Sequence, residues 1–206
     1  MQHHVRPVPV MALLFSTLCI SSAWAEGTTK PVTEQLVDTL TQLSGGPHPG
    51  FRSNHAKGIV VEGYFTPAAS AAEITKAEIF TQPHPVVVRY SNATGVPNIA
   101  DNDGNAFPKG MAIRFQLPED ASADLVTISV NAFPAATPEE FLGLLQAVAA
   151  SKDSQAQPKP VETFLAQHPA ALSFVTTPKL LPESFATQPF FGVNAFKFTN
   201  AQGLSL

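Results

Sequence analysis

Four side chains in two short stretches have the types and spacing to do chemistry together. Arg52 stands three residues before His55, at the mouth of the run His55-Ala56-Lys57-Gly58-Ile59-Val60-Val61, and Arg89 stands two residues before Ser91 in Pro85-Val86-Val87-Val88-Arg89-Tyr90-Ser91. An imidazole that titrates near neutral pH can take a proton from a reacting atom and give it back. An arginine that shares a strand face with valines calls for an anion. A hydroxyl beside an imidazole can hold it in one tautomer. The plainer alternatives are a core or rim histidine bonded to backbone and an arginine at the edge of a half-exposed sheet.

These residues have to be positioned by strands. From His55 to Leu117 the apolar residues alternate with a period of two, which predicts strands over Gly58 to Phe65, Ile74 to Phe80, Pro85 to Ser91 and Met111 to Leu117 in an antiparallel meander broken by Pro, Gly, Asn and Asp. The first of these runs reads as a buried strand. Alternation counted from His55 puts His55, Lys57, Ile59 and Val61 on one face and Ala56, Gly58, Val60, Glu62 and Tyr64 on the other, while Val87, Arg89 and Ser91 share a face of the third run. Leu125 to Ser129 adds a short strand, and Val193 to Thr199 another.

Helices flank the meander. Leu36, Val37 and Leu40 fall at helical spacing ahead of Gly45-Gly46-Pro47. Pro138-Glu139-Glu140 opens a helix that runs through Val148 with a broad apolar face. Val161 to His168 and Ala170 to Val175 read as shorter helices. Asp101-Asn102-Asp103-Gly104-Asn105 has turn chemistry; Ile99 stands where a calcium loop would need its first Asp. His48, His84 and His168 each neighbour a proline without metal-ligand spacing and read as solvated.

Composition narrows the class. Residues 1–25 carry Arg6, an apolar run from Val10 to Ile20 and the small-x-small site Ala23-Trp24-Ala25, the pattern of a secretory signal peptide. Cleavage there would remove Cys19 and Trp24, the only cysteine and the only tryptophan, and so excludes disulfides and zinc–thiolate sites from the mature chain. The expected mature chain, residues 26–206, is one domain with eleven basic and sixteen acidic residues, a formal charge of −5 without a basic cluster. Nucleic acid is therefore not an expected partner, and no run reaches the roughly 20 apolar residues of a spanning helix.

Several signatures in order resemble the haem catalases. They are Arg52-x-x-His55-Ala56-Lys57-Gly58, Gly63-Tyr64-Phe65, Val88-Arg89-Tyr90-Ser91, Gly110-Met111-Ala112-Ile113-Arg114-Phe115 and Asp124-Leu125-Val126, with Phe190-Phe191-Gly192-Val193-Asn194-Ala195-Phe196-Lys197-Phe198 similar to the stretch that opens the second half of the catalase barrel. The resemblance implies an α+β fold, a closed antiparallel β-barrel with helical insertions around haem b. It further implies His55 as distal acid/base, Ser91 orienting it, Arg52 and Arg89 meeting the haem propionates, and Phe133 in the cofactor pocket.

Departures from the pattern bear on the reaction. Where catalases carry a distal asparagine, ungapped comparison places Ser129, and Asn131 reaches that place only through a backbone bulge. The short arm before His55 is similar to the small exported catalase-related peroxidases, which implies hydrogen peroxide and a small organic electron donor as reactants, weak catalase activity, a monomer or small homo-oligomer, and a periplasmic location. Catalases take their axial tyrosine from well downstream of a Val193–Thr199-like strand. Tyr64 is expected on the face opposite His55 and Tyr90 on the face opposite Arg89 and Ser91, so no iron ligand is assigned and the chain reads as C-terminally truncated. The alternative function is a non-catalytic exported haem- or lipid-binding barrel; rearrangement of fatty-acid hydroperoxides occurs on the same fold.

Overall fold

The structure is a computed structural model that describes residues 30–205, so the expected signal peptide lies outside it. Helix α1 (Val32–Leu43) leads into strand β1 (Gly58–Phe65); a single turn of helix, α2 (Ala71–Ile74), and a 3-10 turn (Glu78–Phe80) follow. Strands β2 (His84–Asn92), β3 (Lys109–Gln116) and β4 (Ser122–Ile128) come next, then helices α3 (Pro138–Ser151), α4 (Pro160–Gln167) and α5 (Pro169–Thr176) and the two-residue strand β5 (Phe191–Gly192).

The five strands form one antiparallel sheet in sequence order, β1-β2-β3-β4-β5. Among the described residues this sheet is open, with β1 and β5 at its edges. The expected meander is thus present through β4, and α+β describes the architecture. The β3–β4 hairpin turns through Glu119 and Asp120, at φ 57° and 58°, the left-handed geometry that suits a tight hairpin and that the short side chain of Asp120 tolerates.

The ladder register stacks Gly58, Ser91, Gly110 and Ile128 in one row across the sheet, and Val60, Arg89, Ala112 and Val126 in the row two residues along. These rows share a face. The opposite face carries Ile59, Tyr90, Met111 and Thr127. At the far end of that second face Phe65 meets Phe115 edge-on at 5.2 Å and Phe80 at 5.9 Å, and Phe80 in turn meets Phe198 at 6.0 Å. Pairs of this geometry add to the burial of their surfaces.

A second layer is helical. α3 packs on α1 and α4, burying Leu142 and Leu144. Its start follows from sequence: Pro138 occupies the first turn, the Thr137 hydroxyl accepts the Glu140 N–H at 3.2 Å, and the Glu140 carboxylate accepts the Ala136 N–H at 2.8 Å. No helix among the described residues is long and apolar enough to cross a membrane.

Four expectations require correction. β1 is exposed along its length rather than buried, with Val60 60 % accessible, because it is an edge strand with little packed on either face. Ile74 to Phe80 is not a strand: Ala71-Ala72-Glu73-Ile74 closes a helical turn, and the Thr75 hydroxyl accepts the Ala77 N–H at 3.1 Å to start the next one. Val193 to Thr199 makes no ladder; its end is tied instead to the α2 region, where the Lys76 N–H donates to the Thr199 carbonyl at 2.9 Å and Asn200 to the Glu73 carbonyl at 3.0 Å. Lastly, His84 and His168 are not solvated. His84 is 2 % exposed, with Nε2 3.0 Å from the Glu78 carbonyl, and His168 stacks on Phe164 with ring centres 3.8 Å apart.

Candidate functional site

His55 precedes the sheet instead of opening it. Its φ is 54°, in the left-handed region, a conformation uncommon outside glycine but more frequent for histidine, aspartate and asparagine. Three bonds hold the backbone there. The His55 N–H donates to the Asn54 side-chain oxygen at 3.0 Å, Nη2 of Arg89 donates to the His55 carbonyl at 2.7 Å, and the Ala56 N–H donates to the Thr94 carbonyl at 2.9 Å. The strand then begins at Gly58.

This turn corrects the face expected for His55. The imidazole lies not with Ile59 and Val61 but on the opposite face, where its Nδ1 is 2.9 Å from Oγ of Ser91. Tyr64, by register, is on that same sheet face at its other end, 76 % exposed. Tyr90 is on the reverse face, stacked on Phe185 at 5.2 Å.

Two glycines make room for the arrangement. A Cβ on Gly110 would fall 2.8 Å from Cε1 and 3.0 Å from Nδ1 of His55 and 3.1 Å from Oγ of Ser91, so the ring rests directly on the β3 backbone. A Cβ on Gly58 would fall 2.2 Å from the Tyr90 carbonyl and 3.1 Å from the Arg89 guanidinium. Glycine inside a strand marks such close approach, and Gly110 ahead of Met111 is the one sign of it in the β3 sequence.

The electrostatics favour a neutral imidazole. Burial, followed by the charges of Arg52 and Arg89, lowers the His55 pKa from 6.5 to about 4. At neutral pH its ring carries one proton, and with Nδ1 engaged by Ser91 the Nε2 atom has no hydrogen-bond partner among the described residues. Burial and then Arg52 also lower the Arg89 pKa. No ion pair among the described residues involves Arg52 or Arg89. The charges of two cations thus reach the imidazole, neither paired with a carboxylate among the described residues, a setting that would receive an anionic group.

His55, Ser91, Arg52 and Arg89 therefore form one cluster, and the other two site residues lie apart from it. Ser129 Oγ accepts the Lys109 N–H at 2.9 Å and lines a cavity of about 470 Å³ with Phe107, Val130, Gln188 and others, whose walls do not include His55. Phe133 packs on Phe141 at 5.3 Å and on Phe174 at 6.5 Å, against α3 and α5. Asn131 is exposed. No group of three or more His, Cys, Asp or Glu able to hold a metal ion occurs among the described residues.

Next to Ser91 in the chain lies a buried polar cluster that no motif in the sequence marks. Lys109, 2 % exposed, donates through Nζ to the side chain of Asn92, 1 % exposed, and to the Asp101 carbonyl, both at 2.7 Å; Asn92 Nδ2 donates to Asp101 Oδ1 at 2.7 Å, and Lys57 pairs with Asp101 at 2.9 Å.

Comparison with known proteins bears on this cluster. The family model described as Catalase matches residues 33–206. A catalase-related peroxidase of Mycolicibacterium paratuberculosis is 31 % identical over 179 residues, covering 82 % of this chain and 54 % of that protein. One of Synechococcus elongatus is 30 % identical over 174 residues, covering 82 % and 50 %. A catalase of Latilactobacillus sakei is 26 % identical over 176 residues, covering 82 % and 36 %. The chain thus spans about half the length of the catalase-related peroxidases it matches. With a family match that runs from α1 through the whole sheet and the helices beyond it, this chain belongs to the catalase family.

Proposed function

We propose that the chain carries the distal side of the site of an exported haem-dependent peroxidase that uses hydrogen peroxide to oxidise a small organic donor, with weak catalase activity. The observation that carries the reading is a neutral imidazole fixed through Nδ1 by Ser91, under the charge of two guanidiniums, with Nε2 unbonded and neither guanidinium paired with a carboxylate among the described residues. Haem b fits the residues present: a flat apolar macrocycle with two carboxylates suits the open apolar row of Val60, Ala112 and Val126, with Arg52 and Arg89 as counter-charges. A place for Ser129 and Phe133 in the haem pocket belongs to the same proposal, although both stand apart from the His55 cluster. A closed barrel, export to the periplasm and a monomer or small homo-oligomer belong to the same reading.

Bound haem would supply an iron centre that takes electrons from the donor and passes them to peroxide. The chain's own part is proton handling. Cleavage of the peroxide O–O bond yields water only when one oxygen gives up its proton and the departing oxygen gains one. His55 Nε2 accepts the first proton, the imidazolium is held by its Nδ1–Ser91 bond, and the same Nε2 returns the proton to the leaving oxygen. The depressed pKa keeps Nε2 able to accept throughout the neutral range and makes the imidazolium a strong acid for the return. With Ser129 where the catalases carry their distal amide, and Asn131 exposed, oxidation of a second peroxide is expected to lag behind oxidation of an organic donor.

The test is to supply haem to the full chain, add peroxide and a chromogenic phenol, and follow donor oxidation beside oxygen release. Donor oxidation that exceeds oxygen release supports the reading. A haem absorbance band without donor oxidation would replace it with the carrier alternative.

A further inference from the structure

We propose that Lys109 is a positioning residue for the His55–Ser91 pair, its buried ammonium fixing the backbone on both sides of the site. The proposal rests on the acid/base reading of His55. Lys109 is joined through the chain to Gly110, on which the imidazole lies, and through its Nζ to Asn92, the residue after Ser91. Its second bond reaches the Asp101 carbonyl, and the Phe107 ring lies 4.4 Å from Nζ. The Lys109 backbone is itself doubly bonded to Ser129, donating to Oγ and accepting the Ser129 N–H, each at 2.9 Å.

These contacts make one frame. Asn92 cannot turn without breaking its bonds to Lys109 and Asp101, and its own N–H is held by the Lys57 carbonyl at 3.1 Å, between His55 and β1. A buried ammonium without partners is costly, so the frame holds with the ammonium in one place. Ser91 is thereby pinned from its C-terminal side and Gly110 from its N-terminal side. Lys109 touches neither the imidazole nor the space above it; it acts through Asn92 and the strand backbone.

The experiment reads the His55 ring directly, in the haem-free full chain labelled at histidine, by its NMR titration in wild type, Lys109→Met and Asp101→Ala. Assignment of the signal uses His55→Asn. His84, buried at the other end of β2, is the internal control. Release of the imidazole toward water should raise the His55 midpoint from about 4 by about one unit, a tenfold change in proton affinity, in Lys109→Met, and by less in Asp101→Ala, with His84 unmoved. The pair separates positioning from plain charge effects. Loss of a negative charge at Asp101 would by itself lower the midpoint, so a rise there reports loosening. An unchanged or lowered His55 midpoint in Asp101→Ala, or His84 moving in step, overturns the proposal, and this variant decides alone should Lys109→Met not fold. Because no haem is present, failure here leaves the peroxidase reading standing, and failed donor oxidation leaves this result standing.

Discussion

Nδ1 of His55 and Oγ of Ser91 lie 2.9 Å apart although 36 residues separate them in the chain. The bond exists because His55 turns through φ 54° before β1 begins, which delivers the ring to the Ser91 face of the sheet. It commits one ring nitrogen to the protein and leaves the other for a reactant. A histidine bonded to backbone at both nitrogens would have no such atom.

Replacing His55 by asparagine keeps a side chain that tolerates the left-handed backbone and removes the proton carrier. Donor oxidation by the haem-loaded chain should fall by about 10² to 10⁴-fold, the usual contribution of a positioned acid/base, with haem binding retained in a spectral titration. Turnover within a few-fold of wild type would return His55 to a structural role.

Ser91→Ala should cost less. The lost bond is worth about 0.5 to 1.5 kcal/mol net, and if all of it bears on the reacting arrangement, turnover falls by about two- to tenfold. The measurement is kcat for donor oxidation, beside a thermal melt that shows the fold retained.

Much of the sheet was legible in the chain. Gly58 to Phe65 and Pro85 to Ser91 are dense in β-branched and aromatic residues, and the observed strands match them to within a residue or two. The α3 start was legible because Thr137 and Pro138 encode it locally. Elements whose conformation is decided from a distance were not legible. Val193 to Thr199 looks strand-like but is held by Glu73 and Lys76, more than a hundred residues away. At the site, residue types were readable and one face was not. A left-handed histidine has no marker in sequence, so alternation counted through it put the ring on the wrong side of the sheet.

Stability should carry the mark of His55. Its folded pKa, about 4, lies below its ordinary 6.5, so between those values the unfolded chain binds a proton that the folded chain does not. Folding stability therefore falls as pH drops through this window and is fully present, as far as this group is concerned, above about 6.5. At about 1.4 kcal/mol per tenfold change in proton affinity, the loss amounts to at most about 3 kcal/mol by pH 4. Denaturant unfolding at several pH values should show a shallower acid slope for His55→Asn than for wild type; equal slopes would mean that the imidazole is not held neutral.

Gly110→Ala is the most direct test of the geometry, because it adds a single methyl group and removes no charge and no hydrogen-bonding group. β3 is paired with β2 on one side and β4 on the other, so its backbone has little freedom to retreat. The new Cβ would stand 2.8 Å from Cε1 and 3.0 Å from Nδ1 of His55, closer than carbon and nitrogen atoms pack. The mobile partner is the imidazole, on a turn outside the sheet, and it should be lifted away from Ser91. Overpacking of this kind costs about 1 to 3 kcal/mol, shown as a lower thermal midpoint with cooperativity kept. Donor oxidation should fall at least as far as in Ser91→Ala, and combining the two substitutions should add little, since the bond is already broken in either one. Full activity in Gly110→Ala, or strictly additive losses in the double variant, would mean that the ring does not rest on the β3 backbone in the working protein.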